Sequence, residues 1–546
     1  MSQSKLGQSE VRIGHSLNDG EKQHITSRKE TVLKCLKRQG IYCSPSTVPK
    51  IALLGSGGGE RAMVGLLGSL VQLEKCDLLD CMLYLSGVSG STWCMTSLYK
   101  ESNWSRKLEA IQNAFIKRLD RSGVSLWGQV FKLLEYFKKD NCSATDTWAA
   151  IIVSNVMREI NEDTITDHRD NHGKDPYPVY TVIDKQCKYD RLSKDAWFEI
   201  TPHEAGYSLT GAFVDSVCFG NQFENGKIIK EQPEIDMLYL QGLCGSALAD
   251  MEEILKQIRE WTKHFISYEQ YSSPGCQVLL TLLELNICVL RDEDPTSLIA
   301  TLNELLKGRL DKHGKEIFIM LPAEEKLSRE KVKDYTLTIC HLFWNWFGEM
   351  RDKIWMSVVQ ATEDVLQWTW GTTYNFLHGL TVEEVHPSVL NEKERYYIDA
   401  GLLINSPYFP MLRKERDIDL IISLDFSAGD PMETVLRTAD MSKALKIPFP
   451  EVKLPDDTSE PDDFYVFEGH TKAPTVIHIP LFNKVNCDGQ IKEWAERFKT
   501  FQGPYTHDMT IDLIKKAGEN VLNTKEKILK QIVKLVEQKE TSKLGK

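Results

Sequence analysis

Two short apolar runs, each ending in a glycine-rich turn, constrain the fold more than any other feature of this chain. Lys50–Leu54 precedes the turn Gly55-Ser56-Gly57-Gly58-Gly59, and Cys81–Leu85 precedes Gly87-Val88-Ser89-Gly90-Ser91. A helix-like run follows each turn. Two strand–turn–helix units in succession predict a parallel α/β sheet. The carboxyl ends of the strands in such sheets carry the functional loops, and both turns fall there.

Composition excludes several classes of function. The chain has 546 residues and a formal net charge of -12, which disfavours nucleic acid as a partner. Its 13 cysteines are scattered, without the spacing of a zinc site, and indicate a reducing compartment. The N-terminus lacks the apolar stretch of a signal peptide, and no apolar run is long enough to span a membrane. These features predict a cytosolic protein. No metal or cofactor is expected.

The pattern along the chain predicts three parts. Residues 1–45 form a polar lead with one helical stretch, and 46–505 form the catalytic domain, with a helical cap or lid insertion at about 250–365. Residues 506–546 are predicted to form a basic amphipathic helix. That helix has two interpretations: a terminal helix packed on the domain with solvated lysines, which is favoured, or a helix lying on an anionic membrane surface.

Ser89 stands in the G-x-S-x-G pattern of a nucleophile elbow. A serine between a strand and a helix presents its hydroxyl clear of the sheet, at a helix N-terminus that favours negative charge. The same pattern also occurs by chance in purely structural turns. The preceding strand and following helix favour the catalytic interpretation.

The first turn has the composition of an oxyanion hole, because glycines bring bare backbone N–H groups close to a reacting oxygen. It matches neither a Walker P-loop nor a complete G-x-G-x-x-G, since Glu60 and Ala62 depart from those patterns. A merely flexible or phosphate-binding turn is the alternative. Arg61 follows the glycines and would suit a substrate phosphate, although it could equally be an ordinary surface arginine.

A serine nucleophile needs a base. Four histidines are candidates for a triad, but no glycine-flanked context marks any of them: His203, His341, His378 and His386. Asp399, by contrast, ends an apolar run immediately before Ala400-Gly401. In a site shielded from water this aspartate could act directly on the serine, and its alternative is a turn residue that ends a strand.

Three motifs together resemble the patatin-type lipases that use a Ser–Asp dyad, and within them the group IV cytosolic phospholipases A2. They are Gly-Ser-Gly-Gly-Gly-x-Arg at 55–61, Gly-Val-Ser-Gly-Ser-Thr-Trp at 87–93 and Asp-Ala-Gly at 399–401. Segments at 197–204, 243–247, 370–376 and 425–431 also resemble that family, so the resemblance runs from about residue 25 to 505. It implies a patatin-like, α/β-hydrolase-like fold with a central, mostly parallel sheet flanked by helices.

The resemblance also implies roles for five residues. Ser89 would be the nucleophile, Asp399 its base, Gly58 and Gly59 the oxyanion donors, and Arg61 the contact for the substrate phosphate. The implied activity is that of a phospholipase A2 and lysophospholipase, with transacylation as a second outcome of the acyl-serine. Its substrates would be phospholipids and lysophospholipids, reached from the cytosol by peripheral contact with a membrane.

The chain departs from the family pattern in three ways, and the first of them indicates the gamma type, which lacks a calcium-binding C2 domain and is calcium-independent. The first glycine turn begins at Gly55, which leaves no room before it for a C2 domain. Gamma-type enzymes can end in a prenylation box, but the last residues here lack its cysteine, so no prenyl anchor is expected. Glu60 stands where related chains often carry an apolar residue, and its charge is expected to weaken the pull of Arg61 on phosphate. A catalytically inactive lipid-binding protein and a soluble carboxylesterase remain alternatives.

Overall fold

A twelve-stranded mixed sheet organises the chain and sets the position of both glycine turns. The structure is a computed structural model that describes residues 11–169, 173–189, 194–265, 274–307, 328–347, 353–455, 460–470, 472–502 and 504–544. The first ten residues of the predicted polar lead, and parts of the predicted insertion, therefore lie outside the described residues. The chain divides into two compact units, the described parts of 1–122, 156–248 and 373–546 and the described parts of 123–155 and 249–372.

The strands follow one another as β1 (Val11–Ile13), β2 (Ile51–Gly55), β3 (Tyr84–Gly87), β4 (Tyr177–Asp184), β5 (Trp197–Ile200), β6 (Glu204–Tyr207), β7 (Ala212–Asp215), β8 (Gln222–Glu224), β9 (Lys227–Lys230), β10 (Thr372–Tyr374), β11 (Glu394–Asp399), β12 (Leu420–Asp425), β13 (Tyr465–Phe467) and β14 (Thr475–Pro480). Ten strands of the main sheet have the order β1-β7-β6-β5-β4-β3-β2-β12-β14-β13. The other two branch from this path, with β11 paired to β4 and β10 paired to β11, and β8 and β9 form a separate hairpin.

The helices are α1 (Asp19–Arg38), α2 (Glu60–Lys75), α3 (Gly90–Tyr99), α4 (Leu108–Leu119), α5 (Leu126–Tyr136), α6 (Ala144–Trp148), α7 (Ser154–Met157), α8 (Lys185–Tyr189), α9 (Met237–Cys244), α10 (Met251–Phe265), α11 (Pro274–Leu290), α12 (Thr296–Leu306), α13 (Arg329–Phe347), α14 (Lys353–Gln367), α15 (Pro387–Asn391), α16 (Tyr408–Met411), α17 (Glu433–Leu445), α18 (Ile491–Arg497) and α19 (His507–Leu544). Short 3₁₀ turns include Leu79–Cys81, Ser246–Leu248 and Ala400–Leu402, and Ala149–Val153 is a π-helical turn. Among the described residues, no helix combines the length and the apolar character needed to cross a membrane.

The predicted α/β architecture is confirmed, and its parallel part is the middle of the sheet. Strands β14, β12, β2, β3 and β4 are parallel neighbours, and the runs in β2 and β12 are buried throughout, as expected for strands covered on both faces. Antiparallel strands extend the sheet beyond β4, which makes it mixed. The second apolar run becomes a strand only at Tyr84, because the N–H groups of Cys81 and Met82 bond to carbonyls of a preceding 3₁₀ turn.

Strand β4 pairs with two different strands along one edge. Its first half lies parallel to β3, with Gly87 opposite Tyr180, and its last residues lie antiparallel to β11, with Asp399 opposite Val182. Because β5 occupies the other edge, β3 and β11 end facing each other, two positions apart along β4. At the usual rise of a strand, about 3.3 Å per residue, those ends are about 7 Å apart.

The long helix α19 packs along α2. The side chains of Leu513, Ala517 and Val521 are buried, and a Cβ on Gly68 of α2 would lie 2.5 Å from the carbonyl oxygen of Ile514. Several of its lysines bond to carboxylates elsewhere in the same unit, including Lys527 to Asp463 at 2.7 Å. The helix therefore uses its apolar face inside the fold.

The second unit is helical. Within it, the indole nitrogen of Trp261 donates to Gln129 at 3.2 Å, and Asn286 donates to the hydroxyl of Thr336 at 2.7 Å. It contains the described part of the predicted 250–365 insertion together with 123–155. The role of this insertion as a cap or lid stays a prediction.

A fully buried set of charges joins α1 to the sheet. The guanidinium of Arg416 contacts Glu21 at 2.9 Å and Glu199 at 2.8 Å, and Arg413 also pairs with Glu199. Tyr84 of β3 donates to Glu21 at 2.9 Å. Burial alone would raise the pKa of Glu199, but the two arginines outweigh it and hold the pKa below its ordinary value.

We expect Glu199→Gln to destabilise the protein by about 3–5 kcal/mol, because it leaves two buried guanidinium groups without a full counter-charge. The midpoint of urea unfolding, followed by circular dichroism, measures this loss. Glu30→Gln is the matched control, since Glu30 pairs with Lys34 at 2.7 Å on the exposed side of α1 and should leave the midpoint nearly unchanged. Equal midpoints for Glu199→Gln and the native chain would contradict the expectation.

Candidate active site

Both glycine turns leave the sheet at the same edge. Gly55 of β2 lies opposite Gly87 of β3 in a parallel pair, so the chain enters α2 and α3 side by side. A Cβ on Gly90 would lie only 1.9 Å from the carbonyl oxygen of Gly59, and one on Gly57 would lie 2.8 Å from the Cβ of Ser89. The two turns are therefore in backbone contact, which requires glycine at these positions.

Ser89 has the strained backbone of a nucleophile elbow. Its φ of 53° and ψ of -125° are rare for a residue with a side chain and cost on the order of 1–3 kcal/mol. The residue is the N-cap of α3, directly after β3, as the sequence predicts. This conformation sets the hydroxyl at the helix N-terminus.

Asp399 is completely buried at the end of β11. One carboxylate oxygen accepts the N–H of Gly401 at 2.8 Å, and the other accepts the N–H of Ala247 at 3.4 Å. Burial raises the pKa of Asp399 to about 7, although the N–H of Gly401, the hydroxyl of Ser89 and the N–H of Ala247 each act to lower it. The carboxyl thus changes its charge near neutral pH.

A cavity of about 320 Å³ brings four of the five predicted site residues together: Ser89, Asp399, Gly58 and Arg61. Gly59 lies beside it, as the N-cap of α2 with a φ of 59°. Within the described part of the chain, no acceptor takes the backbone N–H of Gly58 or Gly59. These donors at the start of a helix suit an oxygen that gains negative charge.

Arg61 lies deeper than a typical substrate-binding arginine, with only 2% of its surface exposed. Its Nε donates to the carbonyl of Phe426 at 2.7 Å, Nη1 to that of Phe498 at 2.5 Å and Nη2 to the hydroxyl of Thr500 at 2.9 Å. A guanidinium has five N–H bonds, so at most two are left for a phosphate. The side chain ties two loops to the first turn of α2.

Glu60 faces the segment before α19. Its carboxylate accepts the N–H of Tyr505 at 3.0 Å, and burial raises its pKa to about 7 against the opposing influences of Tyr505 and Arg158. Its expected effect on Arg61 stays a prediction.

The four candidate histidines lie elsewhere. None of them lines the cavity that holds Ser89 and Asp399. The ring of His203 contacts the hydroxyl of Tyr177 at 2.9 Å, and His386 caps the short helix α15. The geometry thus favours an aspartate over a histidine as the partner of Ser89.

Three parts of the site lack a distinctive sequence signal. The hydroxyl of Ser246 accepts the N–H of Asp399 at 2.9 Å, and Ala247 follows it at the start of a 3₁₀ turn. Asn405, Thr500 and Phe501 also line the cavity. Ser246 lies in one of the segments that resemble the phospholipase family, which is the only hint that could have found it.

Comparisons with known proteins identify the family of this chain. The family model described as the lysophospholipase catalytic domain matches residues 51–271. Cytosolic phospholipase A2 gamma of Mus musculus is 34% identical over 95% of this chain and 91% of its own length. The protein of that name from Homo sapiens is 32% identical over 97% of each chain.

Solved structures support the fold. Human GIVD cytosolic phospholipase A2 superposes with a TM-score of 0.68, at 21% identity, over 97% of this chain and 69% of its own. The same protein in complex with methyl gamma-linolenyl fluorophosphonate gives a TM-score of 0.65. With two gamma-type relatives above 30% identity along nearly their whole length, this chain belongs to the group IV cytosolic phospholipase A2 family and is of its gamma type.

Proposed function

We propose that this protein hydrolyses fatty-acyl esters of glycerophospholipids and lysophospholipids, without calcium, through an acyl-serine intermediate. One observation carries the proposal: a strained elbow serine and a fully buried aspartate line one cavity in a chain of this family. A serine alone is a poor nucleophile, and a base that titrates near pH 7 is well matched to activate it.

The reaction starts when the Ser89 hydroxyl attacks the ester carbonyl and gives its proton to Asp399. The tetrahedral intermediate carries an oxyanion, which the N–H groups of Gly58 and Gly59 stabilise by about 3 kcal/mol each. Asp399 then returns the proton to the departing lysophospholipid or glycerol oxygen, which leaves the acyl group on Ser89. A water molecule gives a proton to Asp399 and attacks this ester. Asp399 then returns the proton to the oxygen of Ser89 as its bond to the acyl carbon breaks, which releases the fatty acid and restores the serine hydroxyl.

Transacylation needs only a different acceptor. When the hydroxyl of a lysophospholipid replaces water in the second step, the acyl group is transferred to it by the same proton movements. Arg61 would contact the substrate phosphate with the N–H bonds that Phe426, Phe498 and Thr500 leave free.

The protein would act from the cytosol at the surface of a membrane. Two apolar side chains at the cavity support this proposal, Phe501 with 78% of its surface exposed and Leu402 with 44%. Exposed apolar side chains around a substrate cavity favour contact with lipid. An acyl ester in a bilayer could then reach Ser89 while its chain remains in an apolar environment.

We expect Ser89→Ala to reduce fatty-acid release from phosphatidylcholine vesicles by at least about a thousand-fold, because it removes the nucleophile. The assay contains a calcium chelator, and labelling by a fluorophosphonate is measured in parallel. Ser69→Ala is the control, since Ser69 is a buried serine that bonds within α2. Continued release and labelling in Ser89→Ala would exclude Ser89 as the nucleophile.

The proposed base predicts a pH dependence. Asp399 accepts a proton only when ionised, so kcat should rise about tenfold per pH unit below pH 7 and level off above it. Folding raises the pKa of Asp399 from 3.8 to about 7, so the folded chain holds this proton more tightly than the unfolded chain. The stability contribution of Asp399 is therefore complete below about pH 4 and is lost as the pH rises through 7.

Asp399→Asn tests both statements. The variant should be inactive, and its melting temperature relative to the native chain should increase between pH 5 and pH 8, because it has no charge to bury. A kcat independent of pH between 6 and 8, or a relative melting temperature that falls over this range, would refute the assignment.

The exposed apolar side chains at the cavity, Phe501 and Leu402, predict that the enzyme prefers aggregated substrate. Phe501→Ser should lower turnover on vesicles roughly tenfold, because inserting one aromatic side chain into lipid contributes about 1.5–3 kcal/mol. Turnover of a monomeric short-chain ester should change little. Ile229→Ser is the control, since Ile229 is 55% exposed on β9 and does not line the cavity. An equal loss on both substrates would contradict contact of Phe501 with lipid.

A further inference from the structure

Asn405 holds the turn that precedes α2 from two sides. Its side-chain Nδ2 donates to the carbonyl oxygen of Gly57 at 3.0 Å and to the hydroxyl of Ser427 at 2.8 Å. Its backbone carbonyl accepts the N–H of Gly57 at 3.0 Å. Both polar groups of Gly57 thus bond to Asn405, which lies six positions after Asp399. The hydroxyl of Ser56 also donates to the Gly57 carbonyl, at the longer distance of 3.4 Å.

The bond to the Gly57 carbonyl also fixes the next N–H group. That carbonyl and the N–H of Gly58 belong to one peptide unit, which is planar and trans, so the two groups point in opposite directions. While Nδ2 of Asn405 holds the carbonyl, the N–H of Gly58 points away from Asn405. Glycines on both sides would otherwise allow this peptide to rotate at little cost.

The surroundings of the Asn405 side chain are tight. A Cβ on Gly57 would lie 2.3 Å from its Oδ1, and a Cβ on Gly401 would lie 2.9 Å from the same atom. Gly401 is also the residue whose N–H bonds to Asp399. Asn405 therefore packs between the turn that would supply the oxyanion donors and the turn that holds the proposed base.

We propose that Asn405 is a positioning residue for the oxyanion hole: it holds the Gly57 carbonyl and thereby directs the N–H of Gly58 towards the developing oxyanion. The inference rests on the proposed acyl transfer at Ser89. Asn405 acts through the peptide and needs no contact with the reacting atoms. Its loss should therefore slow the chemical step and leave substrate binding in place.

Two variants of the full-length chain test this role. Asn405→Ala removes the donor, and Asn405→Asp keeps the shape but places a carboxylate opposite the Gly57 carbonyl at pH 8. For each, we measure the first-order rate of Ser89 modification by a saturating fluorophosphonate and the dissociation constant of a non-hydrolysable ether-linked phosphatidylcholine. We expect the rate to fall roughly 10- to 100-fold, a fraction of what loss of a whole donor costs, and the dissociation constant to change less than twofold.

Asn375→Ala is the matched control. Asn375 is a buried asparagine whose Nδ2 donates to the carbonyls of Val389 at 2.5 Å and Glu392 at 2.7 Å, and it does not line the cavity. Asn375→Ala should lower the melting temperature about as much as Asn405→Ala does, because each variant loses the hydrogen bonds of an asparagine side chain. The modification rate of Ser89 should be unchanged in Asn375→Ala.

The outcomes distinguish a failure of the positioning role of Asn405 from a failure of the proposed acyl transfer at Ser89. A slower modification rate with intact binding in either Asn405 variant, and a normal rate in Asn375→Ala, supports the positioning role. An unchanged rate in both Asn405 variants overturns it, and so does a parallel loss of rate, binding and melting temperature. If the native chain is not modified at all, or Ser89→Ala is still modified, the proposed function fails instead.

Discussion

The site depends on the pairing of one strand with two others along a single edge. Strand β4 lies parallel to β3 over its first half and antiparallel to β11 over its last residues. The end of β3, which leads to Ser89, and the end of β11, which is Asp399, consequently meet with one β4 residue between them. A register shift of one residue in either pair would also turn the side chains to the opposite face of the sheet. The backbone pairing of β4 with β3 and β11 therefore sets the separation of Ser89 and Asp399 without the help of side-chain contacts.

The structure treats its buried carboxylates in two different ways. Glu199 and Glu21 form ion pairs with buried arginines, and the pKa of Glu199 stays below its ordinary value. Asp399 is equally buried, but the groups that bond to it are backbone N–H groups and a hydroxyl, none of which carries a full charge. Burial raises its pKa to about 7, because these uncharged groups lower the pKa by less than burial raises it. The same fold thus favours the charged form of one buried carboxylate, through paired arginines, and leaves another able to exchange a proton near neutral pH.

Much of this architecture follows from local sequence patterns. The apolar runs before each glycine turn predict β2 and β3, and both turns lie at the predicted edge of the sheet. The antiparallel strands beyond β4 have no comparable signal, because periodicity does not reveal which strands pair or in which direction. The position of Asp399 relative to Ser89 depends on that pairing, so only the resemblance to a known family could suggest it. The contacts of Asn405 and Ser246 cannot be predicted from local sequence patterns, because each involves backbone groups that only the folded chain brings together.

The apolar face of helix α19 packs against α2 within the fold. Leu513, Ala517 and Val521 are buried, in a helix whose backbone reaches Gly68 of α2 at close range. An amphipathic helix that inserts into a bilayer must present that same face to the lipid. For α19, insertion and packing on α2 are therefore mutually exclusive states. In its packed state the helix can attract anionic lipid through its exposed lysines. A bilayer that took up the apolar face would instead uncover α2, the helix that directly follows Gly58 and Gly59.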